Sequence, residues 1–462
     1  MKTKTPALLA GTAKVDITPS LGTQLAGDIG RRRPAEMLVD PLFARALVLQ
    51  SGSQKICFLS LDVLAITRKW SDKIRDGATE RFGLPREAVM VHTVQNHAAP
   101  SIGHFFFNYE SDYIPPDMDW LKGGDDDYHP FAVERSLEAI EKAIENMQPV
   151  RIGLATGLES RVAFNRRFVL RDGSAVCHPG GADMSNILHI EGPIDPEVGV
   201  MSLISESLAP VAVLLHYTCH PVHGYPQRYV TGGWPGAWAR GVENFYNDNC
   251  VAMVANGCCG NVHHNDHLNP AHRNTVDEMA TDLLETTRPL LKNLSLQESG
   301  ELGFASRNLE IPLRKVPPEQ LEEARELLEK HPEPIWKDGL ENIAADWDWV
   351  YAVMRLDIDR LRRESPVFDY EIQAFRIGDI ALLAVMGEPF VQGQLQIKMQ
   401  SPAERTFVAH MSHGYVGYIP TPEALERGGY ETWTSNGSKL VPEALDMTVE
   451  GSLDLLEKIW RG

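Results

Sequence analysis

The sequence lacks the apolar excess of a membrane-spanning chain. Hydrophobic residues make up 43% and charged residues 23%, an ordinary balance for a globular protein and the wrong one for a disordered or collagenous chain. Internal repeats and low-complexity segments are missing as well. Cysteine is scarce, with six in 462 residues, and Cys57, Cys177, Cys219, Cys250, Cys258 and Cys259 follow no ribbon or finger spacing. Cys258 and Cys259 are adjacent, a poor geometry for mutual bridging. We therefore read all six as reduced thiols and expect a cytoplasmic protein. Positive charge is also short: 44 Lys and Arg stand against 63 Asp and Glu, a net charge of −19. That balance repels phosphate backbones and anionic headgroups, so neither nucleic acid nor stable membrane insertion is expected. The opening MKTKTPALLAGTAKVDITP has an apolar stretch shorter than a signal-peptide core, which argues against export.

What is present is a chain long enough to bury a large core without staples. Residues 47–63 form two apolar runs joined by Ser-Gly-Ser, a hairpin pattern with a second arm buried on both faces. Helical spacing over 71–82, followed by an apolar run at 89–94, gives a strand, helix, strand order. Residues 133–147 predict an amphipathic helix with Leu137, Ile140, Ala143 and Ile144 on one face. Apolar runs at 211–217 and 251–254 flank a helix near 238–246, and 375–385 reads as a strand pair around Gly378-Asp379. Helical patterns at 318–330 and 340–363 predict a hairpin inserted near 317–364. The expected fold is α/β: one domain over 1–462, with a mixed, largely parallel sheet flanked by helices.

Histidines cluster just after apolar runs, where open α/β sheets place their ligands. Four places stand out: His92 to His97, His216-Tyr-Thr-Cys-His220-Pro-Val-His223, Asn256 through His263-His264 to His267, and Glu388 together with His413-Gly-Tyr415-Val-Gly-Tyr418. Neutral imidazoles with a carboxylate suit zinc, and a phenol oxygen from Tyr completes such a shell. The Gly257-Cys-Cys-Gly260-Asn261 turn can aim backbone N–H groups at an oxyanion. Its alternative is a thiolate at Cys258 or Cys259 activated by His263. Arg166 and Arg167 offer a clamp for a carboxylate or a developing oxyanion. The stretch 101–129 carries Phe105, Phe106, Phe107, Tyr109, Tyr113 and Trp120, and an aromatic loop of that length is expected to cover a site.

Several of these motifs resemble a known family. The segments Ala10-Gly-Thr-Ala-Lys-Val-Asp16-Ile-Thr-Pro19, Asp40-Pro-Leu-Phe-Ala-Arg-Ala46, Cys219-His220-Pro221, Cys259-Gly-Asn261, Gly387-Glu388, Gly414-Tyr-Val-Gly-Tyr-Ile-Pro-Thr421 and Tyr430-Glu431 are collinear with the amidase domain of neutral/alkaline ceramidases. The chain resembles a divergent, bacterial-type member. Such proteins are zinc amidohydrolases that cleave the N-acyl bond of ceramide. The resemblance implies that His220, Glu388 and Tyr415 bind one zinc ion, and that Arg166 and Tyr430 polarise the substrate. Two positions depart from the family pattern. Gln95 stands where the family has a metal-binding histidine, with His97 matching the second histidine of that pair, and His263 stands in place of a serine. The family's C-terminal immunoglobulin-like domain is not expected here.

The function expected is metal-dependent hydrolysis of an amide or ester in a small-molecule substrate. His97, His220, Glu388 and Tyr415 are the metal candidates; Gln95, Arg166, Asn261, His263 and Tyr430 are the catalytic ones. The alternatives are acid-base or metal-dependent chemistry on a sugar-like substrate, and an inactive binding homologue. A symmetric dimer is the default quaternary expectation.

Overall fold

Antiparallel strands build the centre of the main sheet. In the computed structural model, which describes residues 8–107, 113–181, 183–269, 271–272, 274–297 and 300–461, strands β1 (Leu8–Asp16), β2 (Phe43–Ser51) and β3 (Gln54–Leu61) pair antiparallel in sequence. The turn between β2 and β3 is tight, and Gly52 meets its need for a left-handed backbone with φ 59°. From Ile56 to Leu61 the second arm is buried throughout, as the apolar run predicts. The amino-terminal segment 1–7 and Tyr109 lie outside the described residues.

Helix α1 (Arg68–Phe82) crosses over to β4 (Val89–Thr93), which pairs parallel to β3. Strands β5 (Gln148–Leu158), β6 (Glu197–Ser205) and β7 (Pro210–Tyr217) continue antiparallel from β1. Then α3 (Gly233–Phe245) crosses over to β8 (Val251–Asn256), parallel to β7. With the short β9 (Ser295–Leu296) on β5, this is a nine-stranded sheet in the order β8-β7-β6-β5-β1-β2-β3-β4. A second, four-stranded sheet holds β10 (Leu302–Pro312), β11 (Val367–Ile377), β12 (Ile380–Ala384) and β13 (Arg405–Ala409) in that order, with only β12 and β13 parallel.

The α/β class and the mixed sheet with flanking helices match expectation. The balance of strand direction differs, because within the two large sheets parallel pairing is confined to the two ends of the main sheet and one end of the second. In these two sheets each parallel pair is linked by a crossover helix, whereas the antiparallel pairs are joined by connections ranging from the tight turn between β2 and β3 to the long insertion between β10 and β11.

The two sheets pack face to face. One apolar cluster joins Leu47, Phe58 and Met201 of the first sheet to Phe375, Leu382 and Phe407 of the second. A β-carbon on Gly199 would lie 2.3 Å from Phe407, so the bare glycine permits this approach. Helices α1 and α2 (Tyr128–Glu145) cover the outer face of β1 to β4. Helices α3 and α4 (Val276–Lys292), the latter opened by a Thr275/Glu278 capping box, cover β6 to β8. Helices α7 (Val391–Gln400) and α9 (Ala444–Arg461) cover the second sheet; between them lies the short α8 (Pro422–Arg427). The layers therefore run helix, sheet, sheet, helix. Arg75 of α1 clasps Glu371 of β11 through two hydrogen bonds of 2.9 and 2.7 Å, binding the first helical layer to the second sheet.

The inserted hairpin is present between β10 and β11 as α5 (Pro318–Lys330) and α6 (Trp347–Glu364). Pro318 opens α5 and Asp346 caps α6 by accepting from the N–H of Asp348, which sets the start of α6 later than residue 340. Trp349 is fully buried and packs with Phe105, Phe106 and Phe107, so the aromatic loop and the insertion share one core. No helix among the described residues is long and apolar enough to cross a membrane.

Candidate functional site

The chain segments that meet at the site leave the carboxyl ends of strands that pair in parallel, where the backbone turns out of the sheet. Gln95 and His97 follow β4, His220 follows β7, Cys259 to His263 follow β8, Glu388 follows β12, and Tyr415 follows β13. Gln95, Met411 and His413 take left-handed backbone angles, with φ of 65°, 50° and 62°. Side chains avoid that region at a cost of about 1–2 kcal/mol each, and such strain gathers at sites the surrounding fold over-determines.

A cavity of about 540 Å³ opens here, with Gln95, His97, Arg166, His220, His263 and Glu388 in its wall. Tyr415, Tyr418 and Tyr430 add phenols, and Phe105 and Phe106 from the aromatic loop add apolar faces. A larger groove of about 690 Å³ lies between α5, α6 and the segment around Trp433. It shares Tyr351 with the first cavity but contains none of the candidate residues.

His97 and His220 carry their ring protons away from each other. His97 Nδ1 donates to the carbonyl of Gly27 at 3.1 Å, and His220 Nδ1 to that of Cys259 at 3.4 Å. A carbonyl only accepts, so each neutral ring keeps a bare lone pair on Nε2. These two Nε2 atoms face each other at 2.9 Å. Burial lowers the pKa of His97 to about 3 and that of His220 well below its ordinary value, with nearby Arg166 adding to both, so neither ring holds a second proton at neutral pH. The Glu388 carboxylate stands beside His220, its Oε2 4.0 Å from His220 Nε2. That oxygen is buried and, among the described residues, has no hydrogen-bond partner. Oε1 accepts from the Tyr415 hydroxyl at 3.2 Å. Two opposed lone pairs and an orphaned carboxylate oxygen can accept a cation, and two imidazoles, a carboxylate and a phenol are a donor set that suits zinc.

Gln95 serves Glu388 from behind. Its side chain hydrogen-bonds the carboxylate, and its Oε1 accepts from the Cys259 thiol at 3.4 Å. Burial raises the Glu388 carboxyl to about 7 against the opposing pull of Arg166, Gln95, Tyr415 and Tyr418.

Arg166 is buried beside this group. Its Nε meets Glu431 Oε1 at 3.1 Å, its Nη2 donates to the carbonyl of Gly260 at 2.6 Å, and its guanidinium lies 5.4 Å from the ring centre of Tyr430 and 5.5 Å from that of Tyr418. Arg167 points elsewhere, pairing with Glu191 and with Glu431 Oε2. Asn261 is buried, with both ends of its amide engaged: Nδ2 donates to Gln392 and Oδ1 accepts from the N–H of Val391. It therefore fixes the start of α7. Cys258 and Cys259 are buried thiols whose pKa values burial pushes upward, the opposite of what a nucleophile needs.

His263 has the opposite tautomer to the facing pair. Its Nδ1 accepts the backbone N–H of Asn265 at 2.9 Å, so the proton sits on Nε2. The ring meets His178 edge to face at 4.9 Å, and His178 Nδ1 lies 3.1 Å from His267 Nε2. Ring nitrogens of His178, His263 and His267 come within 4.8 Å of one another. The protonated Nε2 makes His263 a hydrogen-bond donor there instead of a metal ligand.

His178, Trp347 and Tyr351 are cavity residues that the sequence reading missed. For His178 a signal exists: it belongs to a second Cys-His-Pro tripeptide, the same as the one around His220. The two aromatic residues come from the inserted hairpin, and nothing in their local pattern points to a distant cavity.

No protein-family model matches the chain, and no curated protein sequence matches it. Among solved structures, the neutral ceramidase from Pseudomonas aeruginosa superposes with a TM-score of 0.74 at 17% identity, covering 99% of this chain and 75% of that one. A ceramidase complexed with C2 gives a TM-score of 0.72 at 16% identity, over 99% and 76%. The chain has the ceramidase fold.

Proposed function

We propose that this protein is a metal-dependent hydrolase that cleaves an amide or ester bond in a small acylated substrate. His97, His220, Glu388 and Tyr415 would hold one zinc ion. The carrying observation is the pair of bare imidazole nitrogens 2.9 Å apart beside the unpartnered Glu388 oxygen. When bound, zinc supplies Lewis acidity, polarising an acyl carbonyl and acidifying water.

The chain's own groups supply the remainder. Gln95 and Tyr415 orient the Glu388 carboxylate as a ligand. Arg166 and the Tyr430 hydroxyl supply positive charge and a donor for the carbonyl oxygen as it becomes an oxyanion. His263 presents its Nε2–H to the leaving atom. Phe105 and Phe106 exclude water from one wall of the cavity, which strengthens each of these interactions.

The test is metal analysis of purified protein, followed by chelation, zinc return and an activity screen over N-acyl amides, including ceramide, and simple esters. About one zinc per chain, activity lost on chelation and regained with zinc, and loss of both in His220→Ala are expected. Full turnover by metal-free protein, or no zinc retained by the wild type, overturns the reading.

A further inference from the structure

A second cavity, of about 390 Å³, lies behind Phe105 and Tyr415, which line both spaces. Its wall includes Thr67, Lys69, His104, Asn436 and Lys439. Lys439 is 7% exposed. Its ammonium donates to the carbonyl of Asn436 at 3.0 Å and lies 5.7 and 5.9 Å from the rings of Phe368 and Tyr415. Among the described residues no carboxylate lies within ion-pair distance of it. The acid in this wall, Asp126, is engaged by His104 at 3.1 Å.

Lysine is almost never buried without a counter-charge, because desolvating an ammonium costs several kcal/mol that one carbonyl does not return. Three N–H donors against one acceptor leave two unused. The position is also firmly held. Lys439 O accepts the N–H of Arg314 at 2.7 Å, and Asn436 Nδ2 donates to the carbonyl of Phe106 at 3.1 Å. Burial alone lowers its pKa to about 8, which leaves it charged at pH 7.

We propose that this cavity binds a small oxyanion, a carboxylate or phosphate group, with Lys439 as its counter-charge. The anion completes the buried ammonium's donors, and the site stands on the far side of Tyr415 from the candidate metal centre. This inference does not depend on the hydrolase reading.

Calorimetric titration of the full-length protein at pH 7 tests it, using inorganic phosphate, acetate and succinate at ionic strength matched with sodium chloride. Saturable binding of at least one anion to the wild type is expected. Lys439→Met should weaken it by about tenfold or more, and Lys439→Arg should retain it. Phosphate alone binding identifies a phosphate site; acetate or succinate binding identifies a carboxylate site. Without anion, Lys439→Met should melt at or above the wild type, since an unpaired buried charge is gone. No saturable binding of any of the three to the wild type overturns the proposal, as does equal binding by Lys439→Met. If Lys439→Met does not fold, the wild-type and Lys439→Arg titrations decide.

Discussion

The Tyr415 hydroxyl donates to Oε1 of Glu388 at 3.2 Å, leaving Oε2 as the oxygen that faces His220. The phenol therefore fixes which carboxylate oxygen is available. Tyr415→Phe should reduce zinc affinity by about 10–100-fold, the usual loss when an orienting partner or weak ligand is removed. Glu388→Gln should reduce it further. Competition with a chromophoric chelator measures both, and wild-type affinity in Glu388→Gln would remove Glu388 from the centre.

Gln95→Ala removes a donor to Glu388 and the acceptor of the Cys259 thiol. With that donor gone, the Glu388 carboxyl should titrate at still higher pH. We expect zinc affinity to fall by about tenfold, with thermal stability nearly unchanged because the left-handed backbone at Gln95 is no worse for Ala. A chelator titration and a melting curve separate the two effects. A large drop in Tm with unchanged metal affinity would show Gln95 to be a packing residue.

Gly260→Ala tests the backbone frame. A β-carbon there would lie 2.4 Å from the carbonyl oxygen of Glu388 and 2.9 Å from that of Pro389. Both are main-chain atoms that cannot swing aside, so the strand carrying Glu388 must shift. A stability loss of about 1–3 kcal/mol is expected, with a loss of metal binding larger than that of Gly199→Ala, whose clash is with Phe407 away from the site. Urea unfolding and zinc titration of both variants make the comparison.

Glu371 gives an acid-stability prediction. Burial opposes its ionisation, but His413 and the guanidiniums of Arg75 and Arg68 outweigh burial and bring its carboxyl down to about 2 from an ordinary 4.5. The ionised form is thus favoured by folding, and its contribution is complete above pH 4.5. That contribution is lost as the pH falls toward 2. Glu371→Gln should be less stable than the wild type by on the order of 3 kcal/mol at pH 6, and the gap should close below pH 4.5. Urea unfolding at pH 6, 4 and 3 checks the sign; a gap that widens on acidification contradicts it.

Much of the site was legible because its residues sit just past apolar runs, as His97 follows β4 and His220 follows β7. Where a strand ends is written in the local pattern. Strand direction is not, because an apolar run reads the same either way, and the antiparallel pairing of β5 to β7 had to be seen. The tautomers of His97, His220 and His263 were invisible for a different reason. Each is set by a main-chain group of another segment, Gly27, Cys259 or Asn265, and no side-chain pattern records it. Gln95 looked like a gap in the ligand set; its amide proves to brace Glu388.

Because Trp347 and Tyr351 reach the cavity from the helical insertion, the proposed hydrolase would carry substrate selection and bond cleavage on separable parts of the chain. The insertion departs from β10 and returns at β11, two strands already joined by an uninterrupted ladder from Leu302 to Pro312. Its length and sequence can therefore drift in evolution, or be exchanged by engineering, to admit differently shaped molecules while the donors anchored at the sheet ends keep their positions.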